Sequence, residues 1–180
     1  MLQESKQSML RFSSLAAHRA AAVVLSPDRL TVTQTSNEDA WVRCERGFAP
    51  GCGAVKWAVK LGDESGINVY VLGVVSDAFT EYTECYSRGA WTFQDNWMHA
   101  DGEDVKCPNG SHNFEPGFFE SGDVVSVELE RRPGQDGVMR VRVAGKAPMQ
   151  DMTGLPRDGM LYPAVCLHND EQSYTMLPRP

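Results

Sequence analysis

Residues 124–143 read VVSVELERRPGQDGVMRVRV, and this stretch decides the fold. Val125, Val127 and Leu129 alternate with Ser126, Glu128 and Glu130. Met139, Val141 and Val143 alternate with Arg140 and Arg142. Successive side chains of a strand point to opposite faces, so each half predicts a strand with one apolar and one polar face. RRPGQDG between them has the length and Pro/Gly content of a hairpin connection. Closing the hairpin brings Glu128 and Glu130 near Arg140 and Arg142, a favourable cross-strand charge arrangement.

The same reading extends outward in both directions. Val55, Trp57, Val59 and Leu61 alternate with Lys56, Ala58 and Lys60, which predicts another half-buried strand. Val69–Val75 (VYVLGVV) is almost wholly apolar and fits a strand buried on both faces. Shorter strands fit Leu30–Thr33, Trp41–Glu45, Ala90–Phe93, Tyr162–Leu167 and Ser173–Leu177. Short strands with turn punctuation and almost no internal helix predict an all-β chain, an antiparallel β-sandwich. No internal repeat or linker interrupts it, so residues 23–180 read as one domain. Residues 1–22 read as an N-terminal helical segment, because Met9, Leu10, Phe12, Leu15 and Ala16 follow helical spacing. Lys6, Arg11, Arg19 and several serines give residues 1–25 a secondary reading as a mitochondrial leader.

The chain has 180 residues, 42% of them hydrophobic, and a net charge of -7 from 17 Lys+Arg and 24 Asp+Glu. That length suffices for one packed core without metals or disulfides. The acidic balance argues against nucleic-acid and anionic-membrane binding, which require clustered positive charge. No apolar run is long enough for a membrane-spanning helix. Cys44, Cys52, Cys85, Cys107 and Cys166 are scattered, with no C-x-x-C pair, as in a reducing compartment such as the cytoplasm.

Four stretches in order resemble the SPRY family of protein-interaction domains. ERGFAPGCGAVKWAVKL is similar to the family's strand with a central Trp, here Trp57. VYVLGVV followed by Trp91 in RGAWTF resembles the "vGva … sW" signature. FFESGDVVSVELE, through Gly122 and Asp123, resembles the "GD-v-g-v" strand, and MLYPAVCL matches "lyPavsl" at Tyr162 and Pro163. Together they cover roughly residues 24–177. In VMRVRVAGKAPMQDM, Ala144 stands where the family often has Asn, and the PRY-like start VVLSPDRLTVT is only loosely similar. The resemblance implies a stand-alone, non-catalytic module.

Phosphate-loop, dinucleotide, nucleophile-elbow and zinc-protease motifs are absent from the sequence. His99, Cys107 and His112 lie close in sequence without an evident fourth ligand. Asp101, Glu103 and Asp104 do not follow an EF-hand order. The expectation is therefore no enzyme, no metal and no cofactor. Asn109-Gly110-Ser111 reads as a turn rather than a glycosylation site. Trp57 and Trp91 belong to strand cores, whereas Trp97 in DNWMHADG lies in the longest polar stretch and is a candidate exposed contact.

The resemblance to SPRY modules implies recognition of a short peptide or protein surface by loops at one end of the sandwich. Carried onto this chain, these loops are residues 34–39, 76–89 and 168–171. Asn37, Tyr82, Tyr86, His168 and Asn169, with Trp97, are the expected partner contacts: the tyrosines for apolar area, the Asn and His for ligand backbone groups. Between Asp77 and Asp123 there are ten acidic residues and two basic ones, which would attract a basic or polar partner if they gathered at one end. The chain is expected to act as a monomer. The alternative reading is a lectin-like carbohydrate-binding sandwich, using DNWMHADGED as its aromatic and acidic platform.

Overall fold

The alternation resolves into two stacked sheets in the computed structural model, which describes residues 9–62, 69–83, 87–94, 97–105 and 118–178. In chain order the strands are β1 (Val23–Leu25), β2 (Thr31–Gln34), β3 (Ala40–Arg43), β4 (Gly53–Leu61), β5 (Val71–Ser76), β6 (Ala90–Gln94) and β7 (Trp97–Ala100). They continue as β8 (Glu103–Val105), β9 (Val124–Arg131), β10 (Gly137–Val143), β11 (Met152–Leu155), β12 (Leu161–Leu167) and β13 (Ser173–Met176). One sheet runs β1-β2-β13-β4-β9-β10-β11 and the other β3-β12-β5-β6-β7-β8, with every pairing antiparallel. The fold is thus an antiparallel β-sandwich.

The β9–β10 hairpin takes the register that its alternation demands, with Arg140 opposite Glu128 and Val141 opposite Val127. Val125, Val127, Leu129, Met139 and Val141 are buried in one core together with Leu72, Val74, Phe93 and Val165 of the other sheet. Arg140 bonds Glu128 and Glu130 at 3.0 Å each and Asp151 at 2.9 Å. Arg142 turns instead to Asp151, at 3.3 Å. Hydrogen bonds from Lys56 and Arg140 hold the Glu128 carboxyl below its ordinary range.

Three buried contacts fix the frame. A Cβ at Gly73 would lie 2.1 Å from the Trp91 carbonyl oxygen, so the glycine of VYVLGVV is required by the close passage of β6. The Tyr174 hydroxyl of β13 crosses to the other sheet, accepting from Val71 N–H at 2.8 Å and lying 3.2 Å from the Cys166 carbonyl. Arg131, only 1% exposed, donates to the carbonyls of Phe48, Gly159, Pro156 and Asp158 at 2.6–3.3 Å. It ties the β3–β4 and β11–β12 connections together and closes one end of the sandwich.

The helix expected at the N-terminus does not form among residues 9–22, which hold a single 3-10 turn, Ala16–His18. The reason is the edge of β3, which offers backbone groups that a helix could not use. Phe12 bridges to Cys44 and Arg19 to Val42. Ser13 N–H donates to the Arg43 carbonyl and Ala20 N–H to that of Trp41. Leu10 and Phe12 are buried while Met9 and Arg11 are exposed, a period of two that the helical spacing masked.

Four short strands also escaped the alternation: β1, β7, β8 and β11. The polar stretch around Trp97 is in fact the β7–β8 hairpin. Asp101 and Gly102 form its two-residue turn, both with positive φ (55° and 84°), as a primed turn requires.

Gly73→Ala is expected to lower unfolding free energy by about 3 kcal/mol through overpacking against a backbone that cannot yield. Arg131→Met, which leaves four buried carbonyls without their donor, should also cost about 3 kcal/mol. Urea titration measures both losses, and wild-type stability in either variant would contradict the frame described here.

Candidate functional site

The connections β2–β3 and β12–β13 lie side by side at the end opposite Arg131, because the start of β3 pairs with the end of β12 (Ala40 opposite Leu167). Their side chains lock them together. Asn37 Oδ1 accepts from Asp170 N–H at 3.0 Å, and Asp39 Oδ1 lies 2.6 Å from His168 Nδ1. Gln172, fully buried, accepts from His168 N–H at 2.6 Å and donates to the Val69 carbonyl at 2.8 Å. Glu171 completes the turn with φ 67°, and its N–H bonds the Gln34 carbonyl. The result is a rigid pair of loops with Asn37, Glu38, Asp170 and Glu171 exposed and His168 and Asn169 half-buried. Such preordering limits the entropy lost when a ligand docks.

The third expected loop is rooted at the other end and runs back to the start of β3. The chain from Ser76 to Gly89 leaves and re-enters its sheet at the Arg131 end, where Ser76 lies opposite Leu161. Its middle crosses towards β3, and the Tyr82 carbonyl accepts from Trp41 N–H at 2.9 Å. Phe79 packs edge-on against Trp41 and Tyr82, at 5.5 and 5.0 Å between ring centroids. Tyr82 is therefore 9% exposed and part of the core, not a surface contact. An aromatic flanked by Phe79 gains more by packing under its own loop than by facing water. Tyr86 lies outside the described residues.

Trp97 is half-buried at the start of β7, stacked on His99 with ring centroids 6.3 Å apart. It sits three strand positions from β12, about 14 Å, so it does not converge with His168 and Asn37. His99 is buried, and that burial lowers its pKa against the opposing pull of Asp104, 2.9 Å away.

Nor do the described acidic residues between Asp77 and Asp123 gather at one end. Asp101, in the β7–β8 turn, and Glu103, just after it, lie at the Arg131 end, whereas Glu120 and Asp123 bind Lys146 at 3.0 and 2.9 Å near the opposite end. The folding pattern divides them because the stretch runs through three strands of the sheet. Among the described residues no group of His, Cys, Asp and Glu is arranged to hold a metal ion; Cys107, His112 and the Asn109 sequon lie outside them.

A second cluster, unread in the sequence, lies under the N-terminal segment. Arg43 is 7% exposed, and its guanidinium stacks 3.8 Å over the Tyr162 ring. Its Nη2 lies 2.5 Å from His18 Nε2, while His18 Nδ1 lies 2.9 Å from Ser13 Oγ. Ser13 Oγ also accepts from Leu15 N–H at 3.3 Å. These contacts fit a neutral imidazole that donates to Ser13 and accepts from Arg43. The signal available in sequence was an arginine inside the apolar run Trp41–Cys44, on the same strand face as Trp41.

Burial, then the Arg43 charge, holds the His18 pKa below its ordinary value. A depressed histidine stabilises the fold fully above the unfolded imidazole pKa, about 6.5, and that contribution fades as pH falls through the folded value. Lowering pH from 7 to 5 is expected to loosen residues 13–20, read as lower protection factors of the Ser13 and Ala20 amides after correction for the intrinsic pH dependence of exchange. In His18→Gln, whose amide oxygen accepts without titrating, this acid-dependent loss should shrink; equal losses in both proteins would remove His18 as its cause.

No protein-family model matches the sequence, and no curated protein matches it. Solved structures do. The chain is similar to the SPRY domain of human HERC1 at 13% identity and a TM-score of 0.70, covering 92% of this chain and 96% of that one. It is similar to the TRIM65 PSpry domain at 16% identity and a TM-score of 0.66, covering 96% and 90%. A human SPRY domain aligns at 14% identity and a TM-score of 0.63, over 88% and 95%. The order of the strands, the buried Gly73 and Trp57, and these likenesses over nearly the whole chain agree: this chain has the SPRY fold.

Proposed function

We propose that this chain is a non-catalytic binding module that holds a short peptide segment or protein surface against residues 35–39 and 168–172. The observation that carries the reading is the locked loop pair, in which Asn37–Asp170 and Asp39–His168 contacts fix two connections while leaving their tips in water. SPRY domains in general are protein-interaction modules, which supports the same reading. Rigid strands holding exposed loops are a common basis for recognition.

The exposed carboxylates at this end are Glu38, Asp170 and Glu171. They favour a basic or polar partner segment and would raise its association rate at low salt. Asn37 and Asn169 supply amide groups for the partner's backbone. The module works as a monomer in the cytoplasm, without cofactor, metal or nucleic acid.

Selection of peptides from a random display library tests this directly. A selected peptide should bind wild type and lose about tenfold affinity, roughly 1.4 kcal/mol, in Asn37→Ala or in Glu38→Gln/Asp170→Asn. Selected peptides that bind these variants as tightly as wild type would place recognition elsewhere. Strong binding on a glycan array, with none to peptides, would favour the lectin-like alternative.

A further inference from the structure

Among the described residues twelve have positive φ, and nine of these are glycines. The other three, Arg29, Asp101 and Glu171, hold a conformation in which Cβ crowds the following carbonyl, so each strains the fold. Two of them offset the strain through their side chains. Arg29 Nη1 reaches Glu45 Oε2 at 2.6 Å, joining the β1–β2 connection to the chain just beyond β3. Asp101 Oδ1 accepts from Gly89 N–H at 2.7 Å, fixing the β7–β8 turn to the start of β6.

Glu171 has no such contact. Its φ is 67°, its side chain is exposed, and its carboxylate bonds no other described residue. The backbone around it is fixed by bonds in which that side chain has no part. Asp170 N–H donates to Asn37 Oδ1 at 3.0 Å, Glu171 N–H to the Gln34 carbonyl at 3.1 Å, and Gln172 N–H to the Asn169 carbonyl at 3.1 Å. All three would form with glycine at position 171, which takes positive φ without crowding. Asp170, next to it and also exposed, carries the same charge and adds repulsion rather than relief. Strain that a side chain does not offset within the fold is characteristic of binding sites.

We infer that Glu171 is the specificity-determining contact of the loop pair, its carboxylate receiving a lysine or arginine side chain of the bound segment. An ionised carboxylate only accepts hydrogen bonds, and a basic side chain meets it with both donors and opposite charge. The bonds on either side hold the backbone at 171 still, so the carboxylate is presented from a fixed point. The assignment rests on the peptide-binding reading above and adds to it the partner's charge and the residue that selects it.

Random peptides displayed on phage, selected separately on wild type and on Glu171→Lys, test it. The wild-type set should be enriched in Lys or Arg at one position, and the Glu171→Lys set should lose that enrichment. A synthetic peptide from the wild-type set should bind Glu171→Gln about fivefold more weakly at low salt. Its counterpart with norleucine in place of the basic residue should bind both proteins equally. Glu171→Gly should lose the same affinity while unfolding at the same or a higher urea concentration than wild type. Equal binding to wild type and Glu171→Gln, by peptides that Asn37→Ala weakens, overturns Glu171 as the contact and leaves the peptide-binding reading standing. Peptides that neither substitution weakens overturn both. A lower urea midpoint in Glu171→Gly means that the side chain supports the fold, and overturns the inference.

Discussion

The guanidinium of Arg131 is the contact on which the arrangement of this sandwich turns. Four carbonyls from two connections converge on it in a position almost closed to water. Carbonyls buried in a loop need donors, and a single planar cation supplies them to both connections at once. That end of the sandwich is thereby packed and sealed. The other end is held differently, by Asn37, Asp39, His168 and Gln172 bonding loop to loop, with the tips left exposed. The asymmetry is a sealed end and an end with exposed loop tips, and it is at the second that we propose recognition.

A comparison of Arg131 with Arg43 gives the same physics a second outcome. Both guanidiniums are buried in strands of a β-sandwich without a paired carboxylate among the described residues. Arg131 is saturated by backbone oxygens; Arg43 is satisfied in part, by an aromatic face and a neutral imidazole. Buried polar groups are nearly always fully bonded in folded proteins, so the two arginines differ in kind and not only in place.

Most of the sheet structure could be read from the sequence, because a half-buried strand writes its orientation into every second residue. The β9–β10 hairpin and the Trp57 strand carry that signal plainly. It fails where a strand is too short to show a period, as in β1 and β8. The N-terminal segment misled for a related reason: Met9, Leu10, Phe12, Leu15 and Ala16 fit a helical stripe, and only the free edge of β3 decides for extended pairing. At the site, adjacency of the Asn37 and His168 loops followed from the fold resemblance. The burial of Tyr82 did not, since it depends on Phe79 and Trp41 meeting across the sheet. The Arg43 cluster was hidden because its neighbours come from residues 18 and 162, which no local pattern connects.

The proposed function requires recognition at the locked loop pair opposite Arg131. Amide chemical-shift mapping of the isotope-labelled chain on addition of a selected peptide measures it most directly. The largest changes are expected at residues 35–39 and 168–172, with the Arg131 end unmoved. Changes centred instead on the β7–β8 turn at Asp101 and Gly102, with the loop pair silent, would contradict it.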